Sequence, residues 1–233
     1  MQAVILAGGK GTRLKPYTTV FPKPLVPVGD YPIIEVVIRQ LVKSGFDRIT
    51  ISTGYLAELI RAYCGNGDRW GTSIEYVREQ TPLNTAGALR LLENCEDDLL
   101  VMNGDVLTSL DYAGFLSTHI RCGAAATVAT YPRKAQQDFG IVQMDEHGFL
   151  AGWAEKPTYS YLVSMGVYAI SKPAIDLIEE GEPLSMPDLL MRLKNSGRAV
   201  RCHREECYWL DIGRNDDYAQ AVEDFENHKE WFL

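Results

Sequence analysis

The chain begins with AVILA at residues 3–7, a short apolar strand, and runs straight into LAGGKGTRLKPYTTVFPKP, Leu6 to Pro24. A strand that opens into a glycine-rich basic loop is the arrangement by which open α/β sheets bind phosphates at the carboxyl ends of their strands. Gly8, Gly9 and Gly11 have no Cβ, so their backbone can take positive φ and bring its amides close to an anion. Arg13 supplies a planar fork of donors for phosphate oxygens, and Lys23 a compact charge. Pro22 and Pro24 stiffen the chain around Lys23 and reduce the entropy lost in placing it.

Two familiar phosphate loops do not fit. The dinucleotide fingerprint needs a third glycine opening a helix, but Leu14 and Pro16 occupy that part of the loop. The nucleoside-triphosphatase loop needs Gly-Lys-Ser/Thr, and here Lys10 precedes Gly11. A purely structural turn would leave Arg13 and Lys23 without a purpose.

Beyond the loop, strand and helix patterns alternate. Tyr31 to Gly45 has helical apolar spacing, with Asp30 as the expected N-cap and Gly45 as the stop. RITIST reads as a strand, Leu56 to Cys64 as a helix, SIEYV as a strand and Thr85 to Leu92 as a helix. DLLVMNGD reads as a buried parallel strand with Asn103, Gly104 and Asp105 at its carboxyl end. Beyond Ala124 come strand-like segments with short turns, a helix around 187–195 and a last helix over 216–229. The expected fold is α/β, a Rossmann-like three-layer sandwich with a mainly parallel mixed sheet. We expect one domain over 1–233, with a nucleotide-binding half to about 123 and a second half, about 124–233, that extends the sheet and covers a second substrate.

The 233 residues are 46% hydrophobic, enough for a full core. The net charge of −8 argues against nucleic acid as the partner, since no basic stripe is available to neutralise a phosphate backbone. Five cysteines with no CxxC pair and no basic leader suggest a reduced, cytoplasmic protein, and no apolar run is long enough to span a bilayer.

Asp105 and Asp211, the latter in YWLDIGRNDDY, are the carboxylates best placed for chemistry. A pair of hard oxygens suits Mg²⁺, which takes few protein ligands and completes its shell with water and substrate phosphate. Turn capping is the plain alternative for Asp105, and helix capping near Asp216 for Asp211. Glu155 and Lys156, before Pro157, could hold sugar hydroxyls and a phosphate, or could be a surface ion pair. Glu79 to Gly87, EQTPLNTAG, offers polar edges for a base, or simply starts a helix at Asn84 or Thr85.

GGKGTRLKPYT, PKPLVPV, PLNTAGAL, NGD, EKP and WLDIG occur here in the order seen in sugar-1-phosphate nucleotidyltransferases, and the resemblance runs from Met1 to about Tyr218. It implies that Leu6, Ala7, Gly8, Gly9, Gly11 and Thr12 form the triphosphate loop, with Arg13, Lys23 and Asp105 catalytic. Asp105 and Asp211 would hold Mg²⁺. Glu79, Gln80, Pro82 and Gly87 would meet the base, with Asn103 and Gly104 beside the nucleotide. Gly140, Glu155, Lys156, Gly166 and Val167 would meet the sugar phosphate. The implied partners are a nucleoside triphosphate and a sugar 1-phosphate, with no membrane or nucleic acid and room for a homodimer. Only 22 residues run from Ile212 to Leu233, fewer than an appended β-helix needs, so the minimal transferase is expected.

PLNTAGAL is similar to the PLGTAGAL of mannose-1-phosphate guanylyltransferases, with Asn84 in place of glycine, and the GLAQ of thymidylyltransferases is missing. GTP is therefore favoured, with mannose, heptose or glucose 1-phosphate as the sugar. UTP or dTTP, including uridylyltransferases for amino-sugar or muramate phosphates, is the alternative. A noncatalytic sugar-nucleotide sensor should have lost Arg13 or a metal aspartate, and both are kept. A glycosyltransferase has no use for the GTRL and PKP pair.

Overall fold

The computed structural model describes all residues 1–233. Its centre is a sheet built from β1 (Gln2–Ala7), β4 (Arg48–Thr53), β5 (Ser73–Arg78), β6 (Asp98–Asn103), β8 (Ala126–Gln136), β11 (Thr158–Ser171) and β12 (Val200–Arg204), in the order β12-β8-β11-β6-β1-β4-β5. Four of the six contacts between neighbours are parallel; β11 alone runs against both of its neighbours. Three small ribbons complete the strands. They are β2 (Pro27–Val28) with β3 (Tyr31–Pro32), β7 (Val106–Thr108) with β13 (Trp209–Asp211), and β9 (Ile141–Met144) with β10 (Leu150–Ala154).

The period of two along each strand sends neighbouring side chains to opposite faces, and both faces are covered. Ala3, Ile5 and Ala7 of β1 and Leu100 and Met102 of β6 enter a cluster of 34 buried residues. That cluster includes Val36, Val37 and Leu41 of α1 (Ile33–Lys43), Ile60 of α2 (Ala57–Cys64), Phe115 of α4 (Tyr112–Cys122) and Phe225 of α7 (Asn215–Asn227). Val4, Leu99 and Val101 point the other way, into a cluster of 16 with Ala86 of α3 (Asn84–Gly87), Ala174 of α5 (Lys172–Ile175) and Leu189 of α6 (Met186–Asn195). Helices above and below one sheet make the expected three layers, and the larger core draws on residues from Ala3 to Phe232.

Local assignments differ in places. Asp30 does not cap the first helix: Tyr31 and Pro32 pair with Val28 and Pro27, so the chain is still extended there and α1 starts at Ile33. Gly45 follows the helix at φ 84°, the left-handed stop expected of it. The helix over 85–92 shrinks to α3 followed by a 3₁₀ turn at Ala88–Leu91. Neither Asn84 nor Thr85 caps it with a side chain; Thr85 Oγ1 instead accepts the Met186 N–H at 2.8 Å, tying the segment to α6. Residues 106–122 add β7 and α4, which the strand and helix reading above does not include. Asp111 caps α4 by accepting the Gly114 N–H at 3.0 Å. The last helix spans Asn215–Asn227, and no helix is long and apolar enough to cross a membrane.

Candidate active site

The carboxyl ends of β1, β4, β5 and β6 lie side by side, and the loops that leave them line a cleft. Its wider part, about 770 Å³, is bounded by Gly8, Gly9, Gly54, Glu79, Gln80 and Pro82 among others. A narrower part of about 310 Å³ continues past Gly8, Gly9, Glu79 and Pro82 to Leu6, Asn103 and Asp105. The glycine loop is thus shared by both parts, and Asp105 closes the narrow end.

Close backbone approach explains the glycines at the mouth. A Cβ on Gly8 would lie 2.3 Å from Glu79 Oε1, and one on Gly54 would lie 2.8 Å from the Gly8 carbonyl oxygen. Gly9 faces open space, with nothing within 4 Å of such a Cβ. Gly11 has a different role: at φ 59° it turns the chain, and a Cβ there would crowd Thr18 and the stem of Lys23. Thr12 and Arg13 follow in a short 3₁₀ turn over Thr12–Leu14. Glu79 is held from behind, its Oε1 accepting the Ser52 hydroxyl at 3.1 Å and its Oε2 the Leu83 N–H at 3.0 Å. Such a carboxylate is oriented before any ligand arrives and keeps acceptor capacity to spare.

The charged end is built across the whole chain. Lys23 Nζ donates to Asp105 Oδ2, joining the basic loop to the end of β6, and the lysine is only 9% exposed. β13 pairs with β7 and places Asp211 opposite Val106, while the Ile212 N–H donates to the Asp105 carbonyl at 3.1 Å. The two aspartates are therefore held together by backbone. Burial pushes the Asp211 carboxyl above the usual range, and the charge of Asp105 adds to this against the opposing pull of Lys23 and Arg13. Arg13 closes the group: a Cβ on Gly213 would lie 3.5 Å from Asp211 Oδ2 and 3.6 Å from Arg13 Nη1.

Asp105 Oδ1 is buried and has no hydrogen-bond partner. A buried carboxylate oxygen without a donor, beside a second carboxylate that burial and like charge disfavour, is a pair that a hard cation would satisfy. Asp217 stands near as well, its Oδ2 3.6 Å from where a Cβ on Gly213 would lie, and its charge also raises the Asp211 carboxyl.

The expected sugar contacts form a second group. A Cβ on Gly140 would lie 2.6 Å from Trp153 Cζ2 and 2.9 Å from Glu155 Oε2, and Trp153 Nε1 donates to Glu155 Oε2 at 3.0 Å. Lys156 is exposed and held at φ 41°, a strained conformation for a residue with a side chain. These residues line neither part of the cleft. Gly166 lies against Asn103 of the narrow part, since a Cβ there would lie 2.7 Å from Asn103 Nδ2. Val167 is wholly buried and has only its backbone to offer.

Some of the expected contact residues also pack against the protein itself. Gly87 lines neither part of the cleft: a Cβ there would lie 2.3 Å from the Glu182 carbonyl oxygen, and its N–H donates to the Leu184 carbonyl at 3.0 Å. Its lack of a side chain serves packing of α3 against the segment that leads into α6. Gly104 serves a similar purpose, donating to the Leu6 carbonyl at 2.9 Å, and Ala7 is buried in the sheet. Lys10, Gly54, Tyr55, Arg78 and Thr81 line the wide part and were not expected. The signal for Gly54 was in the chain, a glycine directly after RITIST, at a strand end where a doubly wound sheet puts its ligands. Asn84, which stands where the resembled pattern has glycine, has φ 60°. Asparagine is among the few residues with a side chain that accept this left-handed conformation readily.

A family profile described as nucleotidyl transferase matches residues 2–228. The chain belongs to that family. It is 31% identical to D-glycero-alpha-D-manno-heptose 1-phosphate guanylyltransferase of Aneurinibacillus thermoaerophilus over 98% of this chain and 100% of that protein. It is 33% identical to UTP--glucose-1-phosphate uridylyltransferase of Synechocystis sp. and 30% identical to mannose-1-phosphate guanylyltransferase of Mycobacterium tuberculosis. The chain covers 95% and 96% of itself in those two matches but spans only 62% and 64% of the two relatives' own length. Among solved structures, HddC from Yersinia pseudotuberculosis complexed with GMP-PN superposes with a TM-score of 0.73 at 26% identity, covering 96% of this chain and 99% of that one.

Proposed function

We propose that this nucleotidyl transferase moves a nucleotidyl group from a nucleoside triphosphate, GTP in first place, to a sugar 1-phosphate, releasing pyrophosphate and an NDP-sugar. The observation that carries the reading is the orphaned Asp105 Oδ1, set beside Asp211, Lys23 and Arg13 where the glycine loop ends in the narrow part of the cleft.

The chemistry needs no general base. A sugar 1-phosphate is already an oxyanion at neutral pH, so its oxygen attacks the α-phosphorus in line as the bond to pyrophosphate breaks. The protein aligns the two anions and neutralises their charge. Gly8 and Gly9 bring backbone to the triphosphate. Arg13 meets charge developing on the α-phosphate and on leaving pyrophosphate, and Lys23 steadies the phosphates while bonded to Asp105. Mg²⁺ held by Asp105 and Asp211 would supply further charge neutralisation there. Glu155 and Lys156 receive the sugar phosphate on the hairpin side, with Gly140 and Gly166 leaving room for it.

For the base, Glu79 is already oriented by Ser52 and Leu83 and lines the wide part of the cleft, as does Gln80. A fixed carboxylate accepts from the adjacent N1–H and N2–H donors of guanine, whereas uracil and thymine offer a single N–H on that edge. The names of the heptose and mannose relatives and the nucleotide in the HddC complex support this choice. The Synechocystis relative favours a second reading with UTP. A grid of nucleoside triphosphates against mannose, heptose and glucose 1-phosphates, read by pyrophosphate release, decides between them. GTP should lead. Turnover with UTP or dTTP while GTP stays inert would reject the guanylyl reading, and a grid with no active pair would reject the transferase reading.

A further inference from the structure

Trp209 and Asp211 stand two residues apart on β13, so their side chains share a face. Trp209 is pinned there by its Nε1–H, which donates to the Met165 carbonyl at 2.9 Å, next to Gly166. Tyr131 of β8 packs on it with ring centroids 5.5 Å apart. The Arg133 guanidinium lies over this pair, 5.2 Å from the Trp209 ring centre and 6.0 Å from that of Tyr131. Arg39 and Arg69 also rest on rings, but both pair with Glu35. Arg133, like Arg61 over Tyr76, has no carboxylate partner, but only Arg133 rests on a ring of the strand that carries Asp211, with its donors left free to bind.

We propose that Arg133 is a specificity-determining residue that hydrogen-bonds the end of the sugar farthest from its phosphate, selecting sugars with an acceptor group, hydroxyl or carboxylate, on that end. The inference rests on the transferase reading above. In that reading the phosphate of the sugar 1-phosphate must sit by Asp105 and Asp211. Two residues along β13 advance about 6–7 Å, and the guanidinium rests 5.2 Å from the centre of the Trp209 ring, so it is tied to the same strand face as Asp211 at a spacing on the scale of a sugar ring. Gly166, adjoining both Trp209's anchor and Asn103, keeps the space between them free of a side chain. A planar guanidinium pre-placed on rings loses little freedom on binding, and its donors match a carboxylate best and a hydroxyl oxygen next.

The test compares wild type, Arg133→Ala and Arg133→Lys on a hexose 1-phosphate, the corresponding 6-deoxyhexose 1-phosphate and the corresponding uronic acid 1-phosphate, each with the preferred nucleotide. Arg133→Ala should raise KM for the hexose phosphate about 10-fold and for the uronate about 100-fold. The 6-deoxy sugar should change little, KM for the nucleotide should hold, and the melting temperature should match wild type because the residue is exposed. Arg133→Lys should restore part of the uronate affinity and less of the hexose affinity. An unchanged KM for all three sugars, or an equal rise for all three, would overturn the assignment while leaving the transferase reading intact. A wild type that neither turns over nor binds any sugar 1-phosphate would overturn both.

Discussion

The nucleotide side of the site and the sugar side are built in opposite ways. On the first, the proposed contacts are backbone and buried charge: Gly8 packs closely against both Gly54 and Glu79, Lys23 is almost covered, and Asp211 is held beside Asp105 by the pairing of β13 with β7. On the second, side chains stand out on the β9–β10 hairpin. Phe139 is 80% exposed and Trp153 61%, and Glu155 and Lys156 are exposed with them. Val142 lies opposite Trp153 and Met144 opposite Leu150, so one face of that hairpin is apolar and open. A packed, charge-balanced region tolerates few substitutions, whereas exposed side chains change at small cost to the fold. In the proposed function the rigid side carries the reaction, and the adaptable side can vary with the sugar at little cost to the fold.

If that contrast holds, the largest losses come from the rigid side. Asp105→Asn and Arg13→Ala should each lower kcat by about 100-fold or more, the scale of one lost oxyanion donor, in steady-state assays of pyrophosphate release with folding checked by circular dichroism. Near-wild-type turnover in either would break the assignment of that side. Next, Gly8→Ala drives a methyl into Glu79, so KM for the nucleotide should rise about 10-fold, with discrimination between GTP and UTP reduced, on a loss of about 1.4 kcal/mol. A variant with poorer affinity but unchanged discrimination would show that Glu79 does not read the base. On the adaptable side, Glu155→Gln should raise KM for the sugar phosphate about fivefold and leave kcat and the nucleotide KM close to wild type, consistent with one hydrogen bond exchanged. A collapse of kcat instead would mean that the hairpin is part of the rigid machinery.

The smallest expected effect is on stability. Asp211 has its folded-state carboxyl raised by burial and by Asp105, so the fold holds that proton to a higher pH than the unfolded chain does. Without metal, stability is lost as pH rises from the ordinary carboxylate range through the raised value. Asp211→Asn should therefore melt about 2–4 °C higher than wild type at neutral pH without divalent metal, and the gap should close below the ordinary carboxylate range. Scanning calorimetry across pH reads it directly. A variant that melts lower at neutral pH would mean that Lys23 and Arg13 already outweigh the burial of Asp211.

What could be read in the chain follows the same division. The strands, the loop and the paired aspartates were legible because glycine spacing, a period of two and charged residues at strand ends are local signals with single physical causes. The packing of Gly87 was not legible because a glycine that admits a ligand and a glycine that admits the Glu182 carbonyl look alike in a sequence; only the fold brings residue 182 to it. Tyr55 and Arg78 were missed because their place in the cleft depends on how β4 and β5 lie beside β1. Arg133 and Trp209 are far apart along the chain, and the platform they form exists only once β8 and β13 are in place.

The contact of Lys23 with Asp105 spans 82 positions of chain. This lysine acts as a resident counter-ion, so one of the two carboxylates is neutralised by the chain itself. A site prepared in this way has its charge balance set by the protein and not by the surrounding salt. The other oxygen of that carboxylate, Oδ1, is buried without a donor and is left for a second positive charge to satisfy.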